Sequence, residues 1–80
     1  MDRIGDNIRK IRLLLDIKQA IMAQMLHISV NSYGKIERNE TKIKPERLTQ
    51  IANIFDVNED HIVNFKQLLK VIKLQKGDSS

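Results

Sequence analysis

The 80-residue sequence has no cysteine, no tryptophan, one proline, three glycines and only three aromatic residues. Without cysteine, neither a disulfide framework nor a thiolate zinc site is possible. The scarcity of aromatic and turn-forming residues argues against a β-sandwich. Because aromatic residues are few, isoleucine and leucine must supply most of the core. The composition favours one small domain of packed helices with a modest core.

Long apolar stretches are missing as well. The N-terminal residues alternate charged and apolar side chains, without the apolar centre of a signal peptide. No apolar run approaches the length that spans a membrane. We therefore expect a protein of the cytoplasm that has no membrane partner.

Charge is unevenly distributed along the chain. Residues 1–44 carry nine Lys/Arg and five Asp/Glu, residues 45–65 carry one and four, and residues 66–80 carry four and one. The net charge of +4 therefore comes from the first half and the C-terminal segment, on either side of an acidic middle. A segregated basic surface is typical of nucleic-acid binders, although many basic proteins bind no DNA.

Hydrophobic periodicity predicts helices and no strand. Apolar residues at helical spacing predict four helices at residues 2–15, 19–26, 30–38 and 45–55, and a fifth that is capped by residues 58–60. Ser29 is a favourable N-cap for the third helix, and Pro45 suits the first position of the fourth. We predict an all-α domain over residues 1–65, followed by a helical tail over residues 66–80 with a frayed end.

The third helix carries the residues of greatest functional interest. At 100° per residue, Tyr33 and Ile36 fall on one side, and the other side holds Val30, Asn31, Gly34, Lys35 and Arg38. Asparagine can pair with adenine, valine can contact a thymine methyl, and lysine can reach guanine or a phosphate. These residue types suit a DNA major groove. A solvated amphipathic helix is the alternative, and among proteins at large it is the commoner one.

A known family shares much of this pattern. The residues that carry the resemblance are Ile17-Lys18-Gln19, Met22-Ala23, Leu26-His27-Ile28-Ser29, Tyr33 and Lys35-Ile36-Glu37-Arg38-Asn39, with Leu48, Ile51-Ala52 and Phe55-Asp56-Val57 further along. They resemble the helix-turn-helix of the Cro and phage-repressor (XRE) family. The resemblance implies a five-helix phage-repressor-like fold. It also implies a sequence-specific transcriptional regulator that binds double-stranded DNA as a dimer, with residues 30–38 as the recognition helix.

The resemblance also assigns roles to individual residues. It places Val30, Asn31, Gly34 and Lys35 at base edges. It places Gln19, Asn39 and Lys42 at the DNA backbone, and we expect Ser32 and Arg38 to contact the backbone as well. Arg12 and Glu37 match a pair that commonly forms a buried salt bridge between the first and third helices.

The sequence departs from the family pattern at a turn, at a helix cap and at four apolar positions. His27 stands at the turn where the family prefers glycine for a positive φ, and Lys18 replaces the usual Ser/Thr cap of the second helix. Four residues are apolar where members are often charged, namely Leu13, Leu14, Ile21 and Met25. They indicate a possible protein partner on the first and second helices. The alternative function is therefore a protein-interaction module that kept the fold without specific DNA reading.

The predicted tail has an apolar side of its own, formed by Phe65, Leu68, Leu69 and Ile72. Such a short helix needs a surface to pack against. It can pack back onto the first and fifth helices, or it can form a two-fold dimer interface. We favour the dimer, because dimers of such domains read two half-sites and a single unit rarely binds tightly enough alone.

No residue pattern indicates catalysis. His27 and His61 have no recognisable third metal ligand, and Ser29 and Ser32 have no partner base at a recognisable spacing. A glycine-rich phosphate loop is absent from the sequence. We expect a binding protein rather than an enzyme, with no metal and no cofactor.

Overall fold

All regular structure in the described part of the chain is α-helical. The structure is a computed structural model that describes residues 3–67, 69 and 70. Its helices are α1 (Ile4–Leu14), α2 (Gln19–Leu26), α3 (Val30–Glu37), α4 (Pro45–Phe55) and α5 (Glu59–Val63), and residues 65–67 and 69–70 are also helical. The prediction of an all-α helix-turn-helix fold is confirmed.

The helix starts follow local sequence signals. At α3, the Ser29 Oγ accepts the Ser32 N–H at 3.0 Å, as expected for an N-cap. Pro45 is the first residue of α4, where its missing N–H leaves no helical bond unmade. The predicted first helix was too long at both ends, because Arg3 is the N-cap of α1 and Leu15 its C-cap. Residue 2, where the predicted helix began, lies outside the described residues.

Four residues that follow helix ends share a left-handed backbone conformation. Asp16, His27, Asn39 and Asp56 adopt positive φ values of 56–62°. Asparagine and aspartate tolerate this left-handed conformation better than most residues, and histidine is also enriched there. At His27 the positive φ of 58° turns the chain between α2 and α3, as expected from the family resemblance. The short α2–α3 connection brings the two helices of the motif together.

The core draws residues from all five helices. Its buried members are Ile8, Ile11, Met22, Ala23, Leu26, Tyr33, Ile36, Ile51, Ala52, Phe55, Ile62 and Phe65. Most are aliphatic, in agreement with the composition. Helix α3 packs against both α1 and α2, whereas α5 packs against α1 and α4. The recognition helix predicted from the sequence is therefore held by the two helices that precede it.

The segment after α5 begins by packing onto its own domain. Phe65 is only 3% exposed and belongs to the core, and Leu69 is partly buried against it. Of the two alternatives, these contacts match the intramolecular one, with Phe65 inside the core and Leu69 partly buried against it, while the dimer stays a prediction. Leu68 and Ile72 lie outside the described residues. No helix in the described part of the chain is long and apolar enough to cross a membrane.

Candidate nucleic-acid interface

A buried ion pair between Arg12 of α1 and Glu37 of α3 holds the two helices together. The Arg12 Nε donates to the Glu37 Oε2 at 2.6 Å, and the Arg12 Nη2 donates to the Glu37 Oε1 at 3.1 Å. The Arg12 Nη1 donates to the Ile17 carbonyl at 2.8 Å, and the Gln19 Nε2 donates to the Glu37 Oε1 at 3.0 Å. The structure thus joins Arg12 and Glu37 as the family resemblance implied. The same network holds α1, the start of α2 and the end of α3 together.

Each residue of this pair stabilises the charged form of the other. Burial by itself raises the pKa of Glu37, but the hydrogen bonds from Arg12 and from neighbouring groups outweigh it and lower that pKa. The hydrogen bond to Glu37 raises the pKa of Arg12. Burial raises the pKa of the nearby Tyr33 hydroxyl, and the Glu37 carboxylate raises it further. Arg12 and Glu37 are therefore both charged, and Tyr33 is neutral, at neutral pH.

The outer side of α3 is open to solvent. Val30, Asn31, Ser32 and Lys35 are all exposed, whereas Tyr33 and Ile36 on the opposite side are buried in the core. Asn31 and Lys35 are four residues apart, so they lie about one helical turn from each other on the same face. The face offers an amide, a hydroxyl, a cation and a branched apolar side chain within two turns of helix.

Gly34 does not present the bare backbone that we expected from the sequence. It is buried, and the Arg38 guanidinium covers it, with Nη1 2.8 Å from the place of an added Cβ. The Arg38 Nε in turn donates to the Glu40 carboxylate in an exposed ion pair. A base contact by Gly34 would require the Arg38 side chain to move aside, so that expectation stays a prediction. At this point of the helix the Arg38 guanidinium is the exposed group.

Asn39 was expected at the DNA backbone, but its side chain has a structural task. The Asn39 Oδ1 accepts the Gly5 N–H, and the Asn39 Nδ2 donates to the Asp6 Oδ1, both at 2.9 Å. The positive φ of 62° at Asn39, just after the C-cap of α3, places this side chain beside the start of α1. The side chain therefore has a structural role, but Asn39 is exposed and its Nδ2 keeps a second proton, so its contact with the DNA backbone stays a prediction.

Gln19 keeps a capacity for a second contact. Its Nε2 donates to Glu37, but an amide nitrogen carries two protons, and the side chain is half-buried rather than enclosed. The remaining proton is available to an external acceptor such as a phosphate oxygen. The ion-pair network therefore orients Gln19 as well as α3.

The connection between α3 and α4 brings further cations to the same side of the molecule. Lys42 and Lys44 are exposed, and they line one groove together with Lys35 of α3. Within the described residues, none of these three lysines pairs with a carboxylate. Sequence reasoning missed Lys44 and Arg47 of the same groove. The alternating basic residues on either side of Ile43 were the available signal.

The described residues give no support for a metal site or for a catalytic role of the histidines and Ser29. Among the described residues, no three His, Cys, Asp or Glu side chains come close enough to hold a metal ion. His27 ends α2, and the His61 Nδ1 accepts the Asn58 N–H at the start of α5. Ser29 is occupied as a helix cap. The arrangement offers hydrogen-bond donors and cations on a convex helix, which is a surface for binding.

Comparison with known proteins matches the same region. A family model described as helix-turn-helix covers residues 8–62, from the first core residue of α1 to the buried Ile62 of α5. The chain belongs to this helix-turn-helix family. Its resemblance to Cro and phage-repressor (XRE) proteins is thereby confirmed, and the family is one of DNA-binding regulators. The α2–α3 unit lies wholly within the matched region. No curated protein and no solved structure matches the sequence with significant similarity.

Proposed function

We propose that the chain is a sequence-specific transcriptional regulator that places α3 in the major groove of double-stranded DNA. The observation that carries the proposal is the two-sided character of α3. Tyr33 and Ile36 anchor one side in the core, while Asn31 and Lys35 lie one turn apart on the open side. A helix held in this way can enter a major groove without disturbing the domain.

Each exposed group on α3 has a matching partner on a base edge. Asn31 can bond the N6 and N7 positions of adenine in a bidentate manner, and Lys35 can reach the O6 and N7 acceptors of guanine. Val30 is 48% exposed at the first turn and can contact a thymine methyl. We propose these three residues as the base-reading set, which Gly34 would join only if the Arg38 side chain moved aside.

A second group of residues would hold the phosphate backbone. Gln19 retains an amide proton, Ser32 exposes a hydroxyl, and Lys42 and Arg38 are exposed cations. Contacts of this kind set the register of the protein on the duplex but carry no sequence information. When cationic side chains bind DNA phosphates, they displace the counterions condensed on the DNA. Binding should therefore weaken steeply as the salt concentration increases.

We further propose that two copies act together on DNA. An eight-residue recognition helix with three base-reading side chains specifies only a short half-site. Dimers of helix-turn-helix proteins read two half-sites about one DNA turn apart, so the expected operator is a palindrome. A dimer bound over a promoter would either occlude RNA polymerase or recruit it.

A second candidate function rests on a separate observation. Leu13, Leu14, Ile21 and Met25 are 44–70% exposed, as is the neighbouring Leu15 at 46%. This number of exposed large apolar side chains on α1, α2 and their connection is unusual for a purely solvated surface. A protein partner on these helices would account for it, either beside DNA binding or in place of it.

Selection of binding sites from a random duplex pool tests the proposed function. Fluorescence anisotropy at two salt concentrations would accompany it. A recovered palindrome with binding that weakens steeply at higher salt supports a dimeric operator reader. Salt-sensitive binding without an enriched sequence contradicts sequence-specific reading. The absence of binding even at low salt rejects the DNA proposal and favours the protein-partner alternative.

A further inference from the structure

A groove of about 430 Å³ lies between α3 and the segment that joins α3 to α4. Its apolar wall consists of Ile28, Ile36 and Ile43. Ile36 belongs to the core and the other two pack against it, so this wall is part of the fixed structure rather than a loose surface. The volume falls in the range of small-molecule sites, roughly 300–1,000 Å³.

The rest of the groove is strongly cationic. Lys35, Lys42, Lys44 and Arg47 line it, and no acidic residue does. The Arg47 Nη1 donates to the Leu26 carbonyl at 3.3 Å and to the Gln50 Oε1 at 3.0 Å, so neutral groups orient its guanidinium. No carboxylate among the described residues pairs with the three lysines. The groove therefore holds four positive charges beside an apolar wall.

We propose that this groove binds a small amphipathic anion, meaning an apolar body that bears one carboxylate, sulfonate or phosphate group. The body would cover the three isoleucines, and the anionic group would face the cations at the rim. A DNA phosphate is complementary to the cations alone, because a hydrated phosphate gains nothing from an isoleucine wall. The combination of an apolar wall and unpaired cations fits a ligand that has both characters.

Such a ligand would compete with DNA, a consequence that rests on the proposed function. The groove includes Ser32, Lys35 and Lys42, which also belong to the proposed DNA interface. One lysine cannot serve a duplex and a bound anion at the same time. The anion therefore releases DNA, and by thermodynamic reciprocity DNA weakens anion binding by the same factor.

The probe for this site is the fluorescent dye anilinonaphthalene sulfonate, which combines an aromatic body with one anionic group. Its uncharged analogue, N-phenylnaphthylamine, is the matched control ligand. Binding is followed by dye fluorescence and by backbone amide NMR shifts in the full chain without DNA. The test variant is Lys44→Gln at the groove, and the control variant is Lys10→Gln, which removes another exposed lysine, on α1 and outside the groove.

We expect saturable dye binding with amide shifts concentrated at Ile28, Ser32, Lys35 and Ile43. Lys44→Gln should weaken binding about two- to fivefold, as expected for an exposed charge pair, and Lys10→Gln should leave it unchanged. The uncharged analogue should bind more weakly. Shifts centred instead on Leu13 and Leu14, equal effects of the two variants, or equal affinity for both ligands would overturn the proposal.

Addition of the dye to the DNA complex then tests competition separately. Release of a labelled duplex by the dye supports it, and dye binding in the groove with undiminished duplex affinity contradicts it. If the chain binds no duplex, the proposed function fails while the NMR result still decides the anion site. The two failures are therefore distinguishable.

Discussion

The Gly5 N–H donates to the Asn39 Oδ1 at 2.9 Å, and this bond ties the start of α1 to the residue that follows the C-cap of α3. The close approach requires glycine. A Cβ at position 5 would overlap the Ile36 carbonyl oxygen and would lie 2.6 Å from the Asn39 Oδ1. Two of these obstacles are backbone atoms, since the Glu37 carbonyl oxygen is also only 2.9 Å away.

Gly5→Ala should therefore destabilise the domain. Alanine usually stabilises a helix relative to glycine by roughly 0.5–1 kcal/mol. At Gly5 the overlap with fixed backbone should reverse the sign and lower the free energy of unfolding by about 1–3 kcal/mol. Equilibrium urea unfolding measures this change. An unchanged or increased stability would show that α1 and α3 are not in such close contact.

Gly34→Ala is the matched control and should have the opposite sign. The nearest obstacle to a Cβ at Gly34 is the Arg38 Nη1, the end of a flexible and exposed side chain that can move aside. Helix propensity should then dominate and raise the free energy of unfolding by up to about 1 kcal/mol. A large loss of stability in the same urea experiment would show that Arg38 is held rigidly over Gly34.

The caps of α2 and α3 should respond in opposite directions to substitution. Ser29→Ala removes the hydrogen bond to the Ser32 N–H and should lower the free energy of unfolding by about 1 kcal/mol. Lys18 is the N-cap of α2 and provides no side-chain bond, so Lys18→Ser should raise that free energy by roughly 0.5–1 kcal/mol. Thermal and urea unfolding of both variants test the pair. A loss of stability in Lys18→Ser would mean that Lys18 has a role other than capping.

Removing one partner of the buried ion pair should be costly. The Arg12 and Glu37 side chains are only 9% and 2% exposed, so Arg12→Met leaves a carboxylate buried without its main partner. We expect a loss of about 3–5 kcal/mol in the free energy of unfolding. The double variant Arg12→Met/Glu37→Leu should lose less than the two single changes combined. Additive effects in this double-mutant cycle would show that the two residues act independently.

Acid should remove the contribution of Glu37. Its pKa is lowered in the folded state, so its stabilisation is complete above the ordinary glutamate pKa of about 4.3. The stabilisation is lost as pH falls through the lower folded-state pKa. The stability difference between the wild type and Glu37→Gln should therefore shrink as pH falls from about 6 to 3. A constant difference across urea unfolding curves in this range would contradict the account.

The fold was largely predictable because its signals are local. Ser29 and Pro45 act within a few residues of the chain, so their effects follow from the residue type. The left-handed position at His27 came from the family resemblance. The pairing of Arg12 with Glu37 came from the family resemblance, since a contact over 25 positions has no local signature. The intramolecular bonds of Asn39 and the cover over Gly34 were not predicted for the same reason, because both depend on packing between distant side chains or on a side-chain conformation. The groove was not predicted because its lining combines residues of α3, of the α3–α4 connection and of α4, which only the folded chain brings together.

The most direct test of the DNA-binding account is the affinity of Asn31→Ala/Lys35→Glu for a duplex that the wild type selects. Lys10→Glu is the control, because it makes the same change in charge on an exposed residue of α1 outside the proposed interface. Urea unfolding and sedimentation of all three proteins would verify fold and self-association. We predict at least about a tenfold loss of affinity in the double variant, with normal stability and a much smaller loss in the control. Unchanged affinity in the double variant, or an equal loss in the control, would contradict the assignment of α3 as the recognition helix.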